Sequence, residues 1–261
     1  QVFYVRDLSL SFWGRFLWLR HAVLAGTSPV WDPFVGGGQA AHADALHQLF
    51  MPITLAVRLL GPEVLSFNLW VLLPFPLAAA GAWRFFAARH HPGAALVGAA
   101  SFALAGPVLA TGNFPNMSWA VAGLPWVLWA TDAAVSHPGG RTMALLGAAV
   151  GLQALSGEPV TLFATLSAAG LYALFVARPS GEQLGPSARR LAAAAGGVAL
   201  GLALAAIQLL PLGRAAALSD RAGVITADLW SFHPLTLLET VSPHLFGDYY
   251  ASQSLSDIPW M

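Results

Sequence analysis

The sequence predicts an all-α polytopic membrane protein, in which several apolar helices form a transmembrane bundle. Of the 261 residues, 57% are hydrophobic and only 9% are charged. A soluble domain carries about 25% charged residues, so this chain has too few charges to cover a surface that faces water. Long apolar segments separated by short turns agree with that composition and indicate an integral membrane protein.

The charge balance and the cysteine content narrow the possible classes further. The twelve basic residues are all arginine, and twelve acidic residues balance them to a formal net charge of zero. This balance gives no reason to expect nucleic acid as a partner. The absence of cysteine excludes disulfides and leaves the redox compartment open. The chain begins at Gln1 and ends at Met261, and we expect it to be a fragment of a longer protein, without the first transmembrane helix of that protein and several later ones.

Residues 1–62 are predicted to form a long loop outside the membrane core. Within it, residues 7–25 carry an apolar stripe at helical spacing, with Ser11, Arg15 and His21 mostly on the opposite face. This pattern predicts an amphipathic helix in the membrane interface. A glycine-rich stretch follows, and then a short apolar run over residues 49–60, which is too short to span a bilayer and is predicted to be re-entrant or interfacial. The apolar stripe consists of Leu8, Phe12, Phe16, Leu19 and Val23.

Residues 63–212 are predicted to form a bundle of about six transmembrane helices, and residues 213–261 a second, truncated extracytoplasmic loop. Small residues crowd the last apolar span, which suits close helix packing, although an alanine-rich composition alone would give the same pattern. The predicted spans cover residues 64–88, 93–110, 117–134, 143–155, 159–177 and 191–212.

The distribution of arginine among the short loops predicts the orientation. Alternate loops carry Arg84 and Arg89, then Arg141, then Arg178, Arg189 and Arg190, and the positive-inside rule assigns these to the cytoplasm. The intervening turns at residues 111–116 and 156–158 contain no arginine. Alternation over six spans therefore places the loop of residues 1–62 on the extracytoplasmic side.

Several short motifs occur in a recognisable order along nearly the whole chain. After Arg6 and Asp7 come Gly-x-x-Pro-x-Trp-x-Pro at residues 26–33 and Gln-x-x-x-Pro at 48–52. Ser-Gly-Glu-Pro follows at 156–159, Gln-Leu-Leu-Pro at 208–211 and Pro-His-Leu-Phe-Gly at 243–247. This ordered set resembles the YfhO-like bacterial membrane proteins.

The resemblance implies a GT-C-like transmembrane helix bundle and the activity of a GT-C glycosyltransferase. Such an enzyme takes a sugar from a polyprenyl-phosphate carrier and transfers it to an envelope glycan, lipid or protein. The reaction would take place on the extracytoplasmic face of the bacterial cytoplasmic membrane. The resemblance also implies an acidic residue in the first loop, as a general base or a metal-associated residue, and Asp7 is the matching position. A divalent metal ion is therefore a possible cofactor, but the sequence assigns no metal ligands.

Two aspartates are the candidate catalytic residues. Asp7, beside Arg6 at the start of the interfacial helix, is placed to accept the proton of an acceptor hydroxyl; the alternative is a helix N-cap. Asp44 would supply a second carboxylate, again with an N-cap as the alternative. His42 and His47 flank Asp44 at a spacing that permits metal ligation, although typical zinc signatures are stronger. Asp32, between Trp31 and Pro33, is interpreted as an Asx-turn residue.

Three arginines and one glutamate are candidate substrate-binding residues beside Arg6. Arg58, Arg214 and Arg221 could bind the carrier phosphate, because the guanidinium group matches phosphate oxygens. The alternative for each is snorkelling to lipid headgroups. Glu158 lies at an extracytoplasmic turn, where it could bind substrate or stabilise a helix N-terminus.

A non-enzymatic role is the alternative function: a lipid or glycan transporter, or a scaffold in an envelope assembly complex. A transporter is expected to carry ionisable residues at the bilayer midplane on broken helices. In this sequence the predicted spans contain almost none, and the charges gather in the loops. That distribution favours chemistry at the membrane surface, with membrane lipids as partners; the sequence assigns no protein partner.

Overall fold

The computed structural model describes residues 7–175 and 188–218, together with Leu238, Glu239, Ser242 and Leu245. The chain divides into two compact units, Gln1–Arg214 and Ala215–Met261, and the elements below belong to the first unit apart from the end of the last helix. The predicted site residues Arg6 and Arg221, and most of the predicted second extracytoplasmic loop, lie outside the described residues.

The first loop combines short helices with one small hairpin. A π-helical segment, Leu8–Phe12, continues directly into α1, Trp13–Leu24. Strand β1, Trp31–Asp32, pairs antiparallel with β2, Gln39–Ala40. Helix α2, Pro52–Arg58, is only seven residues long, and the re-entrant or interfacial placement of this run stays a prediction.

The rest of the described chain is helical, and each predicted span coincides with one helix or with two consecutive helices. Prolines begin several of the helices, where the missing N–H has no partner to lose. The helices are α3 (Glu63–Leu72), α4 (Pro74–Ala87), α5 (Pro92–Ala103), α6 (Gly106–Ala110), α7 (Pro115–Ser136), α8 (Gly140–Ala154), α9 (Pro159–Phe175), α10 (Ala188–Leu204) and α11 (Ala206–Ala217).

The length and hydropathy of the helices agree with a membrane protein. Within the described ranges, the continuous stretch Glu63–Ala87 is long and apolar enough to cross a membrane. Two further spans result if bent pairs are counted, Pro92–Ala103 with Gly106–Asn113 at 44° and Ala188–Leu204 with Ala206–Ala217 at 70°. The architecture is thus mainly helical with at least one candidate span, and a six-span bundle stays a prediction.

Aromatic side chains fill the core beneath the first loop. Phe16 packs edge-on against Phe67 at a ring-centroid distance of 5.1 Å and lies 5.5 Å from Trp70. Four of the five residues of the predicted apolar stripe are buried, whereas Val23 is exposed and Ala22 is buried in its place. The stripe is therefore the face by which α1 packs onto α3, and the polar face of α1 is left toward the rest of the loop.

A second core joins α7, α8, α9 and α10, and glycines bring two of these helices together. A Cβ atom added to Gly201 would lie 2.7 Å from the carbonyl oxygen of Gly147, and one added to Gly151 would lie 3.3 Å from the carbonyl oxygen of Gly201. The backbones of α8 and α10 approach too closely for larger side chains. The small residues of the last predicted span thus serve close helix packing.

This contact gives a direct test of the packing. We expect Gly201→Val to lower the free energy of unfolding by about 1–3 kcal/mol, because the added atoms would overlap the α8 backbone. Gly213→Val is the matched control, since a Cβ atom at Gly213 meets nothing within 4 Å while the change in intrinsic helix propensity is the same. Thermal unfolding in detergent measures both variants, and equal losses of stability would show that α8 and α10 do not pack in this way.

Candidate functional site

The first loop closes on itself through a buried histidine. His47 is fully buried, as is Asp32. The His47 Nε2 atom hydrogen-bonds to Asp32 Oδ2 at 2.9 Å, and Nδ1 lies 3.1 Å from Asp44 Oδ2. The contact between His47 Nδ1 and Asp44 is as short as an ion pair, but its geometry is not that of a hydrogen bond. Each ring nitrogen therefore faces a carboxylate, which joins the turn at Asp32 to the turn at Asp44.

Local backbone chemistry places both carboxylates. The Asx-turn predicted at Asp32 is confirmed, because its Oδ1 accepts a hydrogen bond from the Phe34 backbone N–H at 2.8 Å. The N-cap interpretation of Asp44 is also confirmed: its Oδ1 accepts from the Leu46 N–H at 2.9 Å, at the start of a 3-10 turn. Gln48 then adopts a left-handed φ of 48°, which turns the chain toward α2. One oxygen of each carboxylate thus shapes its turn and leaves the other for His47.

Asp44 is saturated with hydrogen-bond donors. Its Oδ2 accepts from Arg15 Nε at 3.1 Å and from Gln39 Nε2 at 2.8 Å. Burial raises the pKa of this carboxyl group, but the contact with His47, the hydrogen bond from Leu46 N–H and the charge of Arg15 outweigh that effect and lower the pKa to about 2. A group this acidic is a poor general base at neutral pH. The geometry favours a positioning role for Asp44.

Arg15 links the Asp44 turn to a cavity beside α1 that has both polar and apolar walls. Its Nη1 also donates to the Ser11 carbonyl oxygen at 2.6 Å, so two contacts fix the guanidinium group. The cavity has a volume of about 360 Å³. The polar face predicted for the first helix supplies Ser11, Arg15 and His21 to its lining, and the loop adds Asp32 and Phe34.

Asp7 lies at the N-terminal end of the same helical segment, before the residues that line the cavity. Ser11 follows it by four residues and Arg15 by eight, a spacing that places the three on one side of the helix. The Asp7 side chain is half-buried and forms no capping hydrogen bond, so the N-cap alternative is not observed. In contrast to Asp32 and Asp44, Asp7 has no hydrogen bond or ion pair with another residue in the described ranges.

Arg58 lies in the core, with 1% of its surface exposed. Its Nη1 donates to the His47 carbonyl oxygen at 2.5 Å, and its guanidinium group lies 5.4 Å from the Phe16 ring centroid and 5.0 Å from that of Trp70. Burial lowers its pKa to about 9. In this conformation the group is reached neither by a carrier phosphate nor by lipid headgroups, which were the two interpretations of its sequence position. Arg58 therefore stabilises the turn at His47 from the core side, through its hydrogen bond to the His47 carbonyl oxygen.

The turn between α8 and α9 packs against the loop that carries Asp44. The Gln48 Nε2 atom donates to the Ser156 carbonyl oxygen at 2.8 Å. Gly157 has a φ of 82°, and a Cβ atom there would overlap the carbonyl oxygen of Ala45. Glu158 Oε2 accepts a hydrogen bond from the Thr161 N–H at 2.5 Å. Glu158 thus stabilises the N-terminus of α9, which was the alternative to substrate binding. The structure thus brings the Ser-Gly-Glu-Pro motif close to Asp44 without directing Glu158 at the cavity.

The remaining predicted site residues lie apart from this network. Arg214 is exposed on α11 and does not line the cavity beside α1. His42 is half-buried and its Nδ1 lies 3.3 Å from the Val30 carbonyl oxygen. Among the described residues, no group of three or more His, Cys, Asp or Glu side chains is arranged to hold a metal ion.

Sequence reasoning did not single out Arg15, Gln48 or the bridging role of His47. The available signal for Arg15 was its place on the polar face of an otherwise apolar helix. Gln48 was part of a noted motif, but its contacts span 108 residues to Ser156 and 22 residues to Trp70. No local pattern predicts such pairings.

No protein-family model, curated protein or solved structure matches this chain. The family resemblance therefore stays a prediction that is based on the motifs alone.

The acidity of Asp44 predicts a pH-dependent contribution to stability. Its pKa is lowered from the ordinary 3.8 to about 2 in the folded chain, so the contribution is complete above pH 3.8 and is lost as the pH falls through 2. We expect Asp44→Asn to reduce the free energy of unfolding at pH 7 by about 2 kcal/mol. Denaturant unfolding of the detergent-solubilised protein measures this loss.

Glu63→Gln is the control, because Glu63 is a more exposed carboxylate that contacts His21 at 2.6 Å. We expect the difference between wild type and Asp44→Asn to shrink as the pH falls from 4 to 2, while the control stays close to wild type. A difference that is independent of pH would contradict an ionised, stabilising Asp44.

Proposed function

We propose that the chain is a GT-C-like membrane glycosyltransferase that transfers a sugar from a polyprenyl-phosphate carrier to an envelope glycan, lipid or protein. The reaction would take place on the extracytoplasmic face of the bacterial cytoplasmic membrane. The observation that carries the proposal is the carboxylate of Asp7, which has no hydrogen bond or ion pair among the described residues and lies on the same side of its helix as Ser11 and Arg15, two residues that line the cavity.

Asp7 is the candidate general base. The acceptor hydroxyl oxygen forms a bond to the anomeric carbon of the sugar, the bond from that carbon to the phosphate oxygen breaks, and the electron pair leaves with the phosphate. The hydroxyl proton has to pass to a base within hydrogen-bond reach. Asp32 and Asp44 already accept hydrogen bonds on both oxygens. Of the three aspartates, Asp7 is the one whose carboxylate has no hydrogen bond within residues 7–175 and 188–218, so it is our candidate to accept this proton.

Arg15 is the candidate group for the departing phosphate. Negative charge grows on the leaving oxygen, and a fixed cation stabilises it most when its position needs no rearrangement. Asp44 accepts a hydrogen bond from the Nε atom of Arg15 and the Ser11 carbonyl oxygen accepts one from its Nη1 atom, and the side chain lines the cavity. Trp18 and Phe34 in the same lining offer apolar faces to a sugar ring. Arg58, by contrast, stays behind the site as a structural cation.

A transporter or scaffold is the alternative function. A buried carboxylate within a helix is the feature that would favour transport, and Asp132 in α7 is 8% exposed. Asp132 is, however, paired with Arg89 and accepts a hydrogen bond from Tyr172 at 2.9 Å. Its partners come from the end of the bundle that carries the arginine-rich loops, so the three groups serve as an anchor between helices. This cluster gives transport no further support.

The glycosyltransferase proposal predicts loss of a sugar from the envelope. In the native host, we expect deletion of the gene to remove one sugar modification. Wild-type protein restores it, and Asp7→Asn at equal membrane abundance reduces the rate of restoration by about 10²–10⁴-fold, the range for a lost general base. Mass spectrometry of lipid-linked sugars and envelope glycans makes the measurement. Glu63→Gln, which alters another carboxylate near α1, should restore the modification fully.

Two outcomes would contradict the proposal. Full restoration by Asp7→Asn would exclude Asp7 as the base. An unchanged set of lipid-linked sugars and envelope glycans in the deletion strain would contradict the glycosyltransferase activity itself.

A further inference from the structure

A long apolar cleft separates α9 from α10 at a distance from the candidate active site. Helix α10 packs along α8 and makes few contacts with α9. The space left between α9 and α10 has a volume of about 480 Å³. Its walls include Leu166, Gly170 and Leu174 of α9, and Leu191, Ala195 and Leu202 of α10.

The dimensions of the cleft match one lipid chain in one leaflet. From Leu191 to Leu202 a helix rises about 17 Å at 1.5 Å per residue, and half of a hydrocarbon core of about 30 Å is about 15 Å. Gly170 is exposed, and a Cβ atom added to it would meet nothing within 4 Å. The α9 wall is therefore open at its middle, where a hydrocarbon chain from the bilayer could enter sideways.

One end of the cleft carries positive charge. Arg189, in the first turn of α10, is exposed and precedes the lining residue Leu191 by two positions. Arg141, at the start of the neighbouring α8, is exposed at the same end of the bundle, which the loop arginines predict to be cytoplasmic. Arginines near an anionic membrane surface attract acidic lipid headgroups, so the charge and the apolar walls together fit an amphiphile with an anionic head.

We propose that the cleft between α9 and α10 binds one acyl chain of an anionic phospholipid whose phosphate contacts Arg189. The acyl chain exchanges its contacts with the bilayer for contacts with the walls of both helices, and the headgroup stays at the membrane surface. This lipid would fill the gap between α9 and the α8–α10 pair and so stabilise the bundle. The proposal depends on the chain lying in a membrane and is independent of the glycosyltransferase activity.

Native mass spectrometry of the full-length protein in detergent tests the proposal. Phosphatidylglycerol and phosphatidylcholine with identical acyl chains are the probes. We expect wild-type protein to retain one phosphatidylglycerol in preference to phosphatidylcholine. Arg189→Gln should weaken phosphatidylglycerol binding about fivefold, which corresponds to the ~1 kcal/mol that one arginine contributes near an anionic surface, with little change for phosphatidylcholine. Arg141→Gln, at the same end of the bundle, is the charge control and should retain more binding than Arg189→Gln.

A second variant tests the cleft without changing a charge. Gly170→Leu places a side chain in the open space and should abolish retention of both lipids. Gly213→Leu, another helical position with nothing within 4 Å, should bind as wild type does. Equal retention of the two lipids would contradict headgroup recognition, and unchanged binding by Gly170→Leu would contradict occupancy of the cleft. If wild-type protein retains no lipid and Gly170→Leu unfolds more readily, a segment of the chain itself fills the space and the proposal is wrong.

Discussion

The contact between His47 and two aspartates is the interaction on which the candidate site depends. A buried imidazole and a buried carboxylate are tolerated only when each has a partner, and His47 supplies that partner to Asp32 while it lies against Asp44. Arg58 donates to the backbone carbonyl of His47 from the core, and Asp44 holds Arg15 at the cavity. Without this bridge, the turn at Asp32 and the turn at Asp44 would be held together mainly by the pairing of β1 with β2, which has two residues in each strand.

The bridge also gives the acidic groups of the loop different roles, because it engages Asp32 and Asp44 but not Asp7. Asp32 uses its two oxygens for the Phe34 N–H and His47, and Asp44 uses its two oxygens for the Leu46 N–H, Gln39 and Arg15. Asp7 makes no such contact among the described residues, although it lies on the same side of the helix as Arg15. A site of this kind has rigid charged groups around one available carboxylate. Such an arrangement suits transfer chemistry, because fixed dipoles need no rearrangement when charge develops.

The helices could be predicted from the sequence, but the pairings between them could not. Continuous apolar runs located six helical spans, although not the breaks that divide three of them into two helices each, and the periodicity of the first helix identified both its buried stripe and its polar face. Arg58 shows why the contacts between helices could not be predicted. Within a short apolar run, an arginine has the same local pattern whether it reaches headgroups or lies buried, and only the distant aromatic rings of Phe16 and Trp70 decide between them. Contacts such as Arg15 with Asp44, which are 29 residues apart, leave no periodic signal.

A double-mutant cycle on Asp32 and His47 tests the bridge most directly. The free energies of unfolding of Asp32→Asn, His47→Gln and the double variant are measured in detergent at pH 7 against wild type. If the bridge exists, the loss in the double variant is smaller than the sum of the single losses by roughly 1–3 kcal/mol, because either change alone already breaks the contact. Losses that add to within about 0.5 kcal/mol would show that the two side chains are not coupled, and the account of the candidate site would then be wrong.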